Sequence, residues 1–96
     1  MLEIKKSLSD RSLVISLVGE LDAVTSPEFE REVRDLDDVD EVTLDFGGLA
    51  YTSSAGLRVL LGLKRRLAKR TLRIENIGLG VREVLDMTGS SALLGV

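Results

Sequence analysis

Apolar and polar residues alternate from the start of the chain. Leu2, Ile4 and Leu8 fall on even positions with Glu3, Lys5 and Ser7 between them, and only Lys6 breaks the pattern. A two-residue period puts successive side chains on opposite faces of a strand, so this stretch reads as an edge strand. Ser9-Asp10-Arg11-Ser12 is a polar turn. Leu13 to Val18 is more continuously apolar and β-branched, which predicts an interior strand hairpinned to the first. Gly19 to Thr25 is expected to leave the sheet. Ser26-Pro27 reads as a helix start, with a capping hydroxyl and a proline at the first helical position. Phe29, Val33 and Leu36 then repeat at helical spacing and form one buried stripe. Glu28 and Glu30 suit the positive end of this helix, and Glu30 can pair with Arg34. Asp35 to Glu41 is an acidic loop, with Asp37-Asp38 ending the helix.

The two-residue period returns at Val42, Leu44 and Phe46, a third strand, and Gly47-Gly48 reads as a turn after it. Leu49 to Thr52 leads into Ser53 and Ser54. Leu57, Leu60, Leu61, Leu67 and Ala68 fit a second helix, whose apolar face Val59 and Leu63 widen. Gly62 permits close packing there at a cost in helix propensity. Lys64, Arg65, Arg66, Lys69 and Arg70 suit the negative end of the helix dipole and read as a solvated cap. Leu72 to Glu75 is a fourth strand. Val81, Val84 and Leu85 form a short helix ending near Gly89, and Ser90 to Val96 adds one last turn. Strands two to four alternate with helices, which implies parallel β-α-β crossovers of right-handed sense. The expected class is α/β: one small domain over residues 1–96 with a mixed four-stranded sheet and packed helices.

Composition narrows the chemistry. The chain has no Cys and no His, which removes disulfides, thiolate or imidazole metal sites and Ser-His or Cys-His nucleophile pairs. No metal site and no cofactor is expected. A serine nucleophile would have to find its base in Asp22 or a lysine, so an enzyme is not expected either. Gly78-Leu79-Gly80 is only a fragment of a nucleotide-binding pattern, and Gly47-Gly48 lacks a P-loop lysine. The net charge of −3 argues against bulk attraction to nucleic acid. No apolar run reaches membrane-spanning length and the first residues lack a signal-peptide core. A cytoplasmic protein without membrane or nucleic-acid partners, and a monomer, is the expectation.

Ser53 and Ser54 stand where a strand hands over to a helix. The first helical turn has unpartnered N–H groups and a partial positive charge. A serine there is a plain cap on one reading. On the other it is a place where a phosphate is well tolerated.

Three motifs decide between them by resemblance. Val18-Gly19-Glu20-Leu21-Asp22, Leu44-Asp45-Phe46 and Thr52-Ser53-Ser54-Ala55-Gly56-Leu57, in this order on this β/α pattern, resemble the STAS domain and its bacterial anti-sigma factor antagonists. That resemblance implies a partner switch. The unmodified antagonist binds an anti-sigma factor that is also a serine kinase, the kinase phosphorylates it, and a serine phosphatase resets it. The family's register places the phosphorylated residue at Ser54, ahead of Ala55 and Gly56. The preceding position, often Asp in the family, is Ser53 here, which leaves a second hydroxyl beside the switch. The partner-binding set implied is Asp22, Thr52, Ser53, Ser54, Ala55, Gly56 and Arg58. Asp22 is open between a turn cap and a switch role. Arg58 is open between neutralising a phosphate and facing solvent. Gly56 keeps the site uncrowded or is merely tolerated. A second reading keeps the fold without the switch, as a STAS subunit of a transporter or a stress-signalling assembly.

Overall fold

The computed structural model describes residues 1–96. The elements run β1 (Leu2–Ser9), β2 (Ser12–Leu21), α1 (Ser26–Glu32), β3 (Glu41–Thr52), α2 (Ser54–Arg66), β4 (Thr71–Glu75), α3 (Leu79–Met87) and α4 (Ser90–Leu94). The strands form one sheet in the order β1-β2-β3-β4. β1 is antiparallel to β2, and β2-β3 and β3-β4 are parallel. The mixed four-stranded α/β class is as expected.

The sheet buries one face. Leu13, Ile15 and Leu17 of β2 and Val42, Leu44 and Phe46 of β3 alternate inward, while Val14 and Val18 stay exposed on the other side. The apolar run of β2 is therefore buried on a single face. Phe29 from α1 and Val33 just past its end, Leu57, Leu60 and Leu63 from α2 and Val81 and Leu85 from α3 complete a largely aliphatic core. Leu8, in phase with Leu2, is exposed, so the first strand's pattern is buried only at its start.

Four boundaries differ from expectation, each for a local reason. β2 continues through Gly19 to Leu21. Gly19 takes φ +112°, and a Cβ there would lie 2.2 Å from the Met1 carbonyl oxygen, so the residue bends the strand without ending it. Gly47-Gly48 lies inside β3 and is no turn. The pairing register shifts between Ser16 and Val18, and a Cβ on Gly48 would lie 2.8 Å from Val18 Cγ2. The glycine thus lets two strands approach at a bulge. Thr25, not Ser26, occupies the cap position of α1. α1 ends at Glu32, before Asp37-Asp38, because the following loop finds other partners. Arg66 donates to the Arg34 carbonyl at 3.1 Å, and Arg70 donates to that of Leu36. Two members of the basic cluster are therefore anchors for this loop and not a solvated cap.

Candidate functional site

The site is built at the carboxyl ends of two parallel strands. Leu21, last in β2, pairs with Thr52, last in β3. The Ser53 N–H donates to the Leu21 carbonyl at 2.9 Å, which closes the sheet just before the chain turns into α2. Ser53 has the extended backbone of a cap residue, φ −98° and ψ 176°, and its carbonyl accepts the first intrahelical bond, from Leu57 N–H at 3.0 Å. The N–H groups of Ser54, Ala55 and Gly56 precede that bond and are the free donors of the helix start.

The two hydroxyls are not equivalent. Ser53 Oγ is buried and has no hydrogen-bond partner, so it does not cap the helix by its side chain. Ser54 is the first helical residue and is exposed. Of the two residues Ser54 is the exposed one, and it is the one expected to be modified.

Gly56 faces inward. A Cβ there would lie 2.5 Å from Thr52 Oγ1 and 2.8 Å from both Leu21 Cγ and the Leu21 carbonyl oxygen. Helix α2 sits against the end of β2 at a distance only glycine allows. Gly56 and Thr52 are both buried. Two residues expected to contact a partner are therefore buried inside the domain. They set where Ser54 stands, and Gly56 keeps the helix close to the sheet instead of keeping the surface open.

Asp22 follows Leu21 directly. Its Oδ1 accepts the N–H groups of Val24 and Thr25, each at 3.0 Å, with the Thr25 hydroxyl 3.1 Å away. That hydroxyl also lies 2.8 Å from the Glu20 carbonyl and accepts the Asp22 N–H at 2.9 Å. The Thr25 N–H, then the Thr25 hydroxyl and the Val24 N–H, hold the Asp22 carboxyl below its ordinary range, against partial burial. Asp22 is thus a turn-capping carboxylate. Thr25, whose hydroxyl joins this turn, is a residue the sequence pattern does not mark; the signal for the turn itself is Asp22, whose side chain accepts the N–H two residues on.

An open groove of about 220 Å³ lies between the starts of α1 and α2. Ala23, Pro27 and Glu30 line one wall, and Ala55, Arg58 and Val59 the other. Arg58 is exposed and makes no ion pair. No group of three or more metal-capable side chains exists, and no helix is long and apolar enough to cross a membrane.

The family model described as "Mlab, STAS domain" matches residues 4–95. The chain belongs to the STAS-domain family. Comparison with curated protein sequences gives no match. Among solved structures, this STAS domain is similar to an anti-sigma factor antagonist from Mycobacterium paratuberculosis. The TM-score is 0.86 at 23% identity, over 96% of this chain and 81% of that one. It is similar to the anti-sigma factor antagonist SpoIIAA in its unphosphorylated form, with TM-score 0.81 and 23% identity over 97% of this chain and 83% of that one. Against the Bacillus cell fate determinant SpoIIAA in its phosphorylated form, the TM-score is 0.75 at 22% identity, over 97% of this chain and 86% of that one. At these identities the likeness is one of fold.

Proposed function

We propose that this STAS domain is an anti-sigma factor antagonist. In this reading it binds an anti-sigma factor with serine kinase activity, and phosphorylation of Ser54 turns that binding off. The observation that carries the reading is the exposed Ser54 hydroxyl at the first position of α2, beside a Ser53 hydroxyl that is buried. A relative of the same fold exists in a phosphorylated form, which supports the same chemistry here.

Phosphorylation acts differently on folding and on binding. A phosphate adds about −1.5 to −2 charges. At Ser54 it meets the free N–H groups and positive dipole end of a helix, and Arg58 stands one turn further along. The fold therefore holds the charge. A partner surface matched to a neutral hydroxyl does not, because an uncompensated charge in an interface is costly. The Asp22 carboxylate, held ionised by its turn, adds repulsion from the same end of the sheet. The chain acts as a cytoplasmic, monomeric binding module, with a serine phosphatase completing the cycle and no catalysis of its own.

The test is co-purification from the native host with phosphosite mapping, followed by binding measurements on variants. Ser54→Ala binds the cognate kinase constitutively and takes no label. Ser54→Asp binds weakly while keeping its circular dichroism. Full labelling of Ser54→Ala would move the site. A complex insensitive to phosphatase treatment would instead mark a fixed subunit of a transporter or stress-signalling assembly.

A further inference from the structure

Charge in this chain is segregated. Residues 46–74 hold seven cations and no carboxylate, while the remainder holds six cations and sixteen carboxylates. Arg73 is paired with Glu41, and Arg66 and Arg70 are spent on loop carbonyls. Arg58, Lys64, Arg65 and Lys69 make no ion pair. At 3.6 residues per turn, Arg58, Gly62 and Arg65 fall on one narrow stripe of α2, on the side away from buried Leu60 and Leu63. Exposed Lys69 extends the charge past the helix end.

Gly62 is the unexplained member. Glycine is among the worst residues for a helix interior. Gly56, in the same helix, is required by internal packing, but Gly62 is not. A Cβ there would meet only Arg65 Nη2, at 4.0 Å. The position gives a shallow notch in the outer face, with a guanidinium reaching towards it and a second one turn before it. A glycine that nothing inside the molecule requires fits a backbone approaching from outside.

We propose that the outer ridge of α2, Arg58-Gly62-Arg65 with Lys69, is a docking surface for an acidic helical segment of a partner protein. The partner's backbone would seat at the Gly62 notch and its carboxylates would pair with Arg58 and Arg65. These two cations are seven residues apart, about 10.5 Å along the axis, which matches carboxylates two turns apart on a second helix. The flanking loop favours a confined partner over an extended polyanion. Asp35, Asp37, Asp38 and Asp40 crowd the loop after α1, whose Asp37 shares a groove with Arg34, Arg66 and Arg70, and outside residues 46–74 the chain carries sixteen carboxylates against six cations, so a nucleic acid or an anionic bilayer spread beyond the ridge would meet net negative charge. The inference does not depend on modification of Ser54.

The test uses the unphosphorylated chain, isotope-labelled for NMR, titrated at low salt with a synthetic Glu/Ala helix of roughly 20 residues, long enough to be helical. The amide shifts should concentrate between residues 58 and 69, and the affinity should fall as salt is raised. Arg58→Glu combined with Arg65→Glu should weaken binding at least tenfold. Gly62→Leu should do the same with a melting temperature at or above the parent's, since the gain in helix propensity is not offset by any internal clash. Arg73→Glu, already paired elsewhere, should bind as the parent does. The proposal is overturned by shifts that are absent or scattered, or by full binding in the double charge reversal or in Gly62→Leu. It is also overturned if phosphatidylglycerol vesicles or a short DNA duplex bind more tightly than the peptide.

Discussion

Replacing Gly56 with alanine tests the packing that positions the site. The added methyl would lie 2.5 Å from Thr52 Oγ1 and 2.8 Å from Leu21 Cγ and the Leu21 carbonyl oxygen. The Thr52 hydroxyl can rotate away. The Leu21 carbonyl cannot, because it is backbone at the end of a central strand and holds the Ser53 N–H at 2.9 Å. The start of α2 must therefore slide outward. Overpacking of this kind costs roughly 1–3 kcal/mol. Stretching the Ser53–Leu21 hydrogen bond adds about 1 kcal/mol. The gain in helix propensity returns at most about 1 kcal/mol, less in a first turn. The expected net is a destabilisation of roughly 1–3 kcal/mol. For a domain of this size that lowers Tm by roughly 5–20 °C. Thermal melting by circular dichroism and urea titration read it directly. An alanine variant as stable as the parent would show that α2 does not rest on Leu21, and the placement of Ser54 argued from it would fail.

Gly62→Ala in the same helix should move stability the other way, by up to about 1 kcal/mol, because the new methyl enters open space; an unchanged or lowered urea midpoint would contradict this. Acid should destabilise the fold through three carboxylates held below their ordinary range. Asp22 is held by Thr25 N–H and its neighbours, Asp40 by the Arg11 guanidinium at 2.7 Å, and Asp45 by the Asn76 amide and Gly47 N–H. A lowered carboxyl pKa means that the unfolded chain binds protons first, so the stabilisation is complete above about pH 4 and is lost as pH falls through the folded-state values. Urea midpoints from pH 6 to pH 2 should decline, and the decline should be shallower in Asp22→Asn and Asp45→Asn; equal slopes in parent and variants would refute the assignment.

The fold was legible wherever one periodicity ran uninterrupted. Leu13 to Val18 declared its strand by a continuous apolar, β-branched run, whereas Val42 to Phe46 declared a strand and Leu57 to Leu67 a helix because burial on one face leaves a period that sequence retains. Glycine misleads where its use is tertiary. Gly19 and Gly47-Gly48 carry the turn signature, yet here they let strands bend and approach across a bulge, which depends on Met1 and Val18 far along the chain. The end of α1 was misread for the same reason, since the carbonyls beyond it are taken by Arg66 and Arg70 some thirty residues later. At the candidate site, the motif singled out Ser54 and Asp22 for the proposal, and local chemistry gave the turn that Asp22 caps. Which serine is buried, and that Thr52 and Gly56 face inward, follow from the meeting of α2 with the end of β2. No local pattern encodes that contact.

The most direct measurement prepares one sample with phosphate on Ser54 and records two quantities on it: its melting temperature, and its affinity for the co-purified kinase. The account predicts a melting temperature within a few degrees of the unmodified chain and an affinity lower by roughly a hundredfold, the scale of a like-charge or unpaired-charge penalty in an interface. Equal affinity for the two forms, or loss of affinity only through unfolding, would contradict it.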